Sequence, residues 1–188
     1  MRFSYTARMT VELNPRRLAI APFTQTAARL SGTRSGSEFG RLLPEAAGSP
    51  RVGEVFFEAF GLLRPNAQGA MSPWIGLAAH TTLPMVCQRC LEPVDVDIDF
   101  SREFRFVATE AQAELEDDQS EEDVLVSAAD FDLLALVEDE LLMALPPSPK
   151  HQQCPHPVKL AVADKDFVVA EEVVNPFAVL GQLKTPKA

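Results

Sequence analysis

The sequence predicts an α+β fold: an antiparallel sheet with a zinc-knuckle-like hairpin and C-terminal helices packed on it. Three observations carry this expectation. Val94-Asp95-Val96-Asp97-Ile98-Asp99-Phe100 alternates apolar and acidic residues without a fault, the period of a strand with one buried and one wet face. Cys87-Gln88-Arg89-Cys90 stands just before it, after a second strand-like run, and so falls in a hairpin connection. Asp130 to Leu145 carries Leu134, Val137, Leu141 and Leu145 at helical spacing and is stopped by Pro146-Pro147.

The elements follow in order. Phe3, Tyr5, Met9 and Val11 recur on odd positions, so Met1 to Val11 reads as an early strand ended by the Asn14-Pro15 turn. Residues 14–50 read as an irregular, Arg-rich segment. A short helix fits Ala19 to Leu30, and Ser31-Gly32-Thr33-Arg34-Ser35-Gly36-Ser37 has loop chemistry. Val52 to Leu63 is apolar and bracketed by Gly53 and Gly61, as a buried strand would be. Trp74 to Val86 continues with Ile75, Leu77, Ala79, Leu83 and Met85 in odd register, and Pro84 places that part at an edge or bulge. His80 reads as a strand histidine. The alternation after the hairpin keeps its parity to Phe104 and Phe106, with Arg102 as its interruption.

Residues 110–123 hold eight acids and no base, which predicts an exposed acidic loop. In the long helix, Asp130 is placed to cap the amino end and Asp132 to meet the positive pole. Glu138, Asp139 and Glu140 point in different directions around it and read as a solvated face. Asn175-Pro176 opens a short terminal helix with Phe177, Leu180 and Leu183 on one side.

Composition bounds the function. The 188 residues, 46% of them hydrophobic, suffice for one sizeable core, and 1–188 reads as a single domain. No window reaches the roughly 18 apolar residues of a membrane span, and Met1 is not followed by a signal-like run, so a soluble cytoplasmic protein is expected. The net charge of -10 is uneven. Residues 1–53 hold eight arginines against three acids, and the remainder nine bases against 24 acids. The basic end is suited to a polyanion, with Arg16, Arg17, Arg29, Arg34 and Arg41 as candidate RNA contacts, while the acidic body suits a basic protein.

Three cysteines, two of them in a CxxC, fit a reduced compartment and metal binding better than disulfides. One Cys3His set is Cys87, Cys90, His151 and Cys154; a second exchanges His151 for His156. Zinc suits either, as a structural ion, because four protein ligands leave no open position for a reacting water. The competing reading is of ordinary cysteines filling a turn. No catalytic triad stands out, and a redox CxxC usually opens a helix, whereas a strand pattern follows here. The chain therefore reads as non-enzymatic.

Cys87-Gln88-Arg89-Cys90, Asp132 to Pro146 with His151 and Cys154 after it, and Asn175-Pro176-Phe177-Ala178-Val179-Leu180 with Leu183-Lys184 together resemble the YceD family, over roughly residues 50–184. The resemblance implies a bacterial cytosolic ribosome-biogenesis factor promoting synthesis, processing or accumulation of large-subunit (23S) ribosomal RNA, without enzymatic activity. Its partner would be precursor ribosomal RNA or a ribosomal or assembly protein, with no membrane and no small-molecule substrate. The alternative is a zinc-stapled acidic protein adaptor with no RNA contact. Residues 14–50 depart from the family pattern.

Overall fold

The computed structural model describes residues 13–47, 52–66, 69–117, 122–156, 162, 164, 166, 167 and 177. The early strand expected over 1–11 and the terminal helix expected after Asn175 lie outside them, Phe177 apart. The chain divides into two compact units, Met1–His156 and Pro157–Ala188. The break follows a proline-rich run, which a reading of 1–188 as one domain does not separate. Every helix and strand named below belongs to the first unit.

Five strands form one sheet in sequential order: β1 (Arg29–Ser35), β2 (Glu54–Pro65), β3 (Met71–Val86), β4 (Pro93–Val107) and β5 (Asp123–Val126). The first three pairings are antiparallel and β4 with β5 is parallel. The α+β expectation is borne out, and the hairpin register Val86↔Pro93 puts the CxxC in the β3–β4 connection. In β3 the odd residues Ile75, Leu77, Ala79, Leu83 and Met85 are buried, as are Ile98, Phe100, Phe104 and Phe106 of β4. Pro84 is accommodated because the β2 pairing ends at Phe56↔His80: on that side its carbonyl accepts from the Ala47 N–H at 2.8 Å, and among the described residues no strand asks for the donor that proline lacks.

The inner face is covered by α1 (Ile20–Gln25), the turn around Phe39 and Leu42, and α3 (Leu133–Met143). Leu18, Ile20, Phe23, Phe39, Leu42, Leu133, Leu134, Val137 and Leu141 are all nearly inaccessible and belong to one core with the sheet. Gly61 lets α1 approach: a Cβ there would lie 2.5 Å from the Phe23 carbonyl oxygen.

Several expectations are corrected. Residues 29–35 are a strand, because the loop-like Ser/Gly composition is overridden by pairing with β2 from Arg29↔Phe60 to Ser35↔Glu54. The helix of the 14–50 segment is shorter than expected, since Ala27 takes a left-handed φ of 48° and turns the chain into β1. The cap of α3 is Asp132, whose carboxylate accepts from the Ala135 N–H at 3.0 Å, while Asp130 pairs with Arg17 at 2.6 Å. The acidic stretch is not all loop: it opens with α2 (Glu110–Asp117) and its last residue, Asp123, begins β5, while 118–121 lie outside the described residues.

The acidic stretch folds because its counter-charges come from β4. Arg105, buried, ion-pairs with Glu116 of α2, and Arg102 reaches Asp123 at 3.4 Å. The Glu116 carboxylate also accepts from Gln112, one helical turn earlier, at 2.8 Å. The bond from Arg105, then that from Gln112, hold the Glu116 carboxyl below its usual range against the opposing effect of burial. A depressed folded-state pKa contributes stability above the unfolded value near pH 4.5, and that stability is lost as pH falls through the folded value. Glu116→Gln is expected to lower Tm at pH 7, with the gap to the unmutated protein closing as the pH is taken to about 3. A gap that stays constant across that range would show that the ionised pair contributes nothing.

Glu140 corrects the solvated-face reading of α3. It is buried, and burial first, with Asp123 and Asp139 adding, pushes its carboxyl up against the attraction of Arg102. Arg102 Nε stands 3.3 Å from Glu140 Oε2 without a well-aligned hydrogen bond. Glu138 is also largely covered, by Arg41.

Candidate metal centre

β3 delivers Cys87 to the site by parity. It is two residues beyond buried Met85 and is itself fully buried. The chain then turns tightly: the Leu91 N–H donates to the Cys87 carbonyl and the Cys87 N–H to the Glu92 carbonyl, both at 2.9 Å. Leu91 closes the turn with a left-handed φ of 62°. This brings Cys90 back beside Cys87.

The second half arrives from α3. After Pro146 the chain runs back along the hairpin, and the Gln88 N–H donates to the Pro149 carbonyl at 2.9 Å. The Arg89 guanidinium donates to the His151 and Gln152 carbonyls, tying the two loops together. Cys87, Cys90, His151 and Cys154 converge with one ligand atom each, all within 4.8 Å of one another. His156 is exposed and outside this group, so the set completed by His151 is the one the fold assembles.

The donor chemistry fits zinc. With Zn–S near 2.3 Å and Zn–N near 2.0 Å, a tetrahedral edge is about 3.5–3.8 Å, and Cys90 Sγ lies 3.4 Å from His151 Nδ1. The widest separation exceeds such an edge by about 1 Å. His151 Nε2 is 3.0 Å from the Pro93 carbonyl oxygen, which only accepts. The proton therefore sits on Nε2, and Nδ1 turns its lone pair toward the sulfurs.

Cys87 is prepared as a thiolate. Burial raises its pKa, but the Cys90, His151 and Arg89 N–H groups and the Cys90 thiol outweigh it and bring it to about 5. The His151 N–H donates to Cys87 Sγ at 3.4 Å. Cys154 moves the other way, raised by burial and by its contacts with Cys90 and Cys87. Before an ion binds, Cys87 is therefore the thiol held ionised and Cys154 the one held back.

Of the five arginines singled out in the sequence, three face carboxylates. Arg16 lies 3.4 Å from Glu38 and 3.7 Å from Asp132, and Arg17 is on Asp130. Arg41 spans Glu138 at 3.2 Å and Asp139 at 2.5 Å. Arg29 sits over the Phe60 ring at 5.7 Å, and Arg34 donates to the Thr33 carbonyl at 3.0 Å. Sequence reasoning missed Arg89 as the tie between the loops, although its place inside the CxxC was a signal, and missed the Pro93 and Pro149 carbonyls, for which side-chain identity gives none.

No helix among the described residues is long and apolar enough to cross a membrane. No solved structure gives a significant match to the chain. The family model described as Large ribosomal RNA subunit accumulation protein YceD matches residues 75–184, from β3 through both halves of the Cys/His cluster; β1 and β2 before residue 75 lie outside it. A Haemophilus influenzae protein named Large ribosomal RNA subunit accumulation protein YceD is 35% identical over 104 residues, 52% of this chain. The match spans 58% of that relative's length. With the family model covering more than half of its residues, and the paired Cys/His loops inside the matched part, the chain belongs to the YceD family.

Proposed function

We propose that this protein is a non-enzymatic, cytoplasmic factor of bacterial ribosome biogenesis, serving accumulation of the large-subunit (23S) ribosomal RNA by binding a ribosomal or assembly protein. The observation that carries the reading is the closed four-ligand cluster inside the family-matched region. A tetrahedral site with four protein donors holds shape and leaves no position for a reacting water, which supports a binding role over hydrolysis. Zinc would be held by Cys87, Cys90, His151 and Cys154, where it supplies a cross-link between the hairpin and the segment after α3.

A protein partner is favoured over direct RNA contact by the fate of the arginines. Arg16, Arg17 and Arg41 already face carboxylates, so phosphate would have to compete with pairs the fold has made. The acidic remainder of the chain repels a polyanion and attracts a basic protein.

Affinity capture with the tagged full chain, with and without nuclease, tests the proposal. Capture of large-subunit precursor particles is expected, with the direct protein partner retained after RNA is digested. Complete loss on nuclease treatment, with a steep salt dependence, would transfer the contact to RNA and to Arg16, Arg17, Arg29, Arg34 and Arg41. A protein partner retained without any ribosomal particle would favour the RNA-free acidic adaptor.

A further inference from the structure

Among the described residues, no element covers the outer face of the sheet between α2 and the knuckle. The register sets Thr33, Phe56, His80 and Asp99 in one row across four strands, and Ser31, Glu58, Ala78 and Ser101 in the next. Phe56 and His80 stack at 4.8 Å with their planes 9° apart, and Phe56 is 40% exposed. With Ser31, Glu58 and Asp99 they line a shallow depression of ≈ 630 Å³. An exposed aromatic pair in a depression is a place for a flat group to lie.

Among the described residues the unpaired charges on this face of β2 and β4 are acidic, while Arg34 of the edge strand donates to the carbonyl of Thr33 at its rim. Glu54, Glu58, Asp95, Asp97 and Asp99 are exposed, and none is in an ion pair among the described residues. Asp97 accepts a hydrogen bond from Thr82 at 2.7 Å. The cations on the same face are engaged elsewhere. Arg29 is over Phe60, Arg64 is over Trp74 and on Glu103, and Arg105 is on Glu116.

We propose that this face binds an extended, arginine-bearing segment of a basic protein, with one guanidinium laid on the Phe56–His80 pair and its neighbours against the aspartates. Arginine is selected over lysine because its planar, weakly hydrated cation stacks on rings and meets carboxylates through two parallel hydrogen bonds. An extended segment is selected because Asp95, Asp97 and Asp99 recur every second residue, about 6–7 Å apart, as alternate side chains of an extended peptide do. A nucleobase could stack on the same rings, but its phosphates would meet the carboxylates beside them, Glu58 and Asp99, and Asp97 two residues along β4, within about a Debye length of 10 Å. The inference rests on the large-subunit reading only for the source of the segment.

The test is a titration of the isotope-labelled full chain, followed by NMR, with three probes: a 12-residue peptide alternating Arg and Thr, its Lys counterpart, and a 12-nucleotide oligouridylate. The Arg peptide is expected to shift the amides of Phe56, His80 and Asp99, to bind more tightly than the Lys peptide, and to weaken as salt rises. Phe56→Ala, and separately Asp97→Asn with Asp99→Asn, should each lower its affinity by about five- to tenfold, while Glu45→Gln leaves it unchanged. The proposal is overturned if the variants bind like the unmutated protein, if the shifts fall elsewhere, or if oligouridylate takes the same residues more tightly. Peptide binding without particle capture would remove the ribosomal reading and leave the face; capture that survives Phe56→Ala and Asp97→Asn/Asp99→Asn would do the reverse.

Discussion

Cys87→Ser is expected to take the purified protein from about one zinc per chain to near none by elemental analysis. Cys87 is the fully buried corner of the cluster and receives the N–H groups that hold a thiolate there; a serine hydroxyl stays protonated and is a poor zinc ligand. Ion binding is folding free energy for the segments it joins, so residues 87–92 and 146–156 should loosen together. Limited proteolysis should then cut within 146–156, with the sheet resistant. His151→Ala should act in the same direction, and His156→Ala should leave the zinc content unchanged because that imidazole lies outside the cluster. Zinc-free unmutated protein, purified without chelator, would end the metal reading.

The second large effect belongs to α3. Leu141→Ala should cost about 2–5 kcal/mol in denaturant unfolding, because Leu141 is fully buried in the core and its loss leaves a cavity that a helix seated on β3 and β4 cannot collapse. Two residues on, Met143 is 68% exposed, and Met143→Ala should fall within about 0.5 kcal/mol of the unmutated protein. The helix also leads into one half of the metal site. Leu141→Ala should therefore speed zinc loss to a chelator, and an unchanged release rate would mean that the two loops hold the ion without help from α3.

The sequence was most legible where period and burial coincide. The Val94–Phe100 alternation, the odd register of β3 and the stripe of Leu134, Val137 and Leu141 each report a face directly, and each buries that face. The CxxC was legible because two thiols on a tight turn have few other uses, and the choice between His151 and His156 needed the path after α3. What stayed hidden depends on partners distant in sequence. Glu116 and Asp123 look like members of a repelling loop until Arg105 and Arg102 come from β4. Arg41 looks free until Glu138 and Asp139 arrive 97 and 98 residues later. A count of charges along the chain cannot separate cations awaiting a ligand from cations that the fold will neutralise. The Phe56–His80 pair was hidden for the same reason, since only the β2–β3 register stacks them.

The ion pairs between the first arginines and α3 impose an order on synthesis. Arg17 and Asp130 are 113 residues apart, and the Leu18 and Phe131 backbones exchange hydrogen bonds at 2.8 and 3.1 Å across the same gap. At about 5–20 residues per second of translation, Arg17 is synthesised roughly 6–23 s before Asp130. Throughout that interval Arg16 and Arg17 lack the carboxylates of Asp132 and Asp130. Those carboxylates come with α3 and the residues just before it: Asp130 and Asp132 for Arg17 and Arg16, then Glu138 and Asp139 for Arg41, on the same stretch that lays the apolar lid on the sheet.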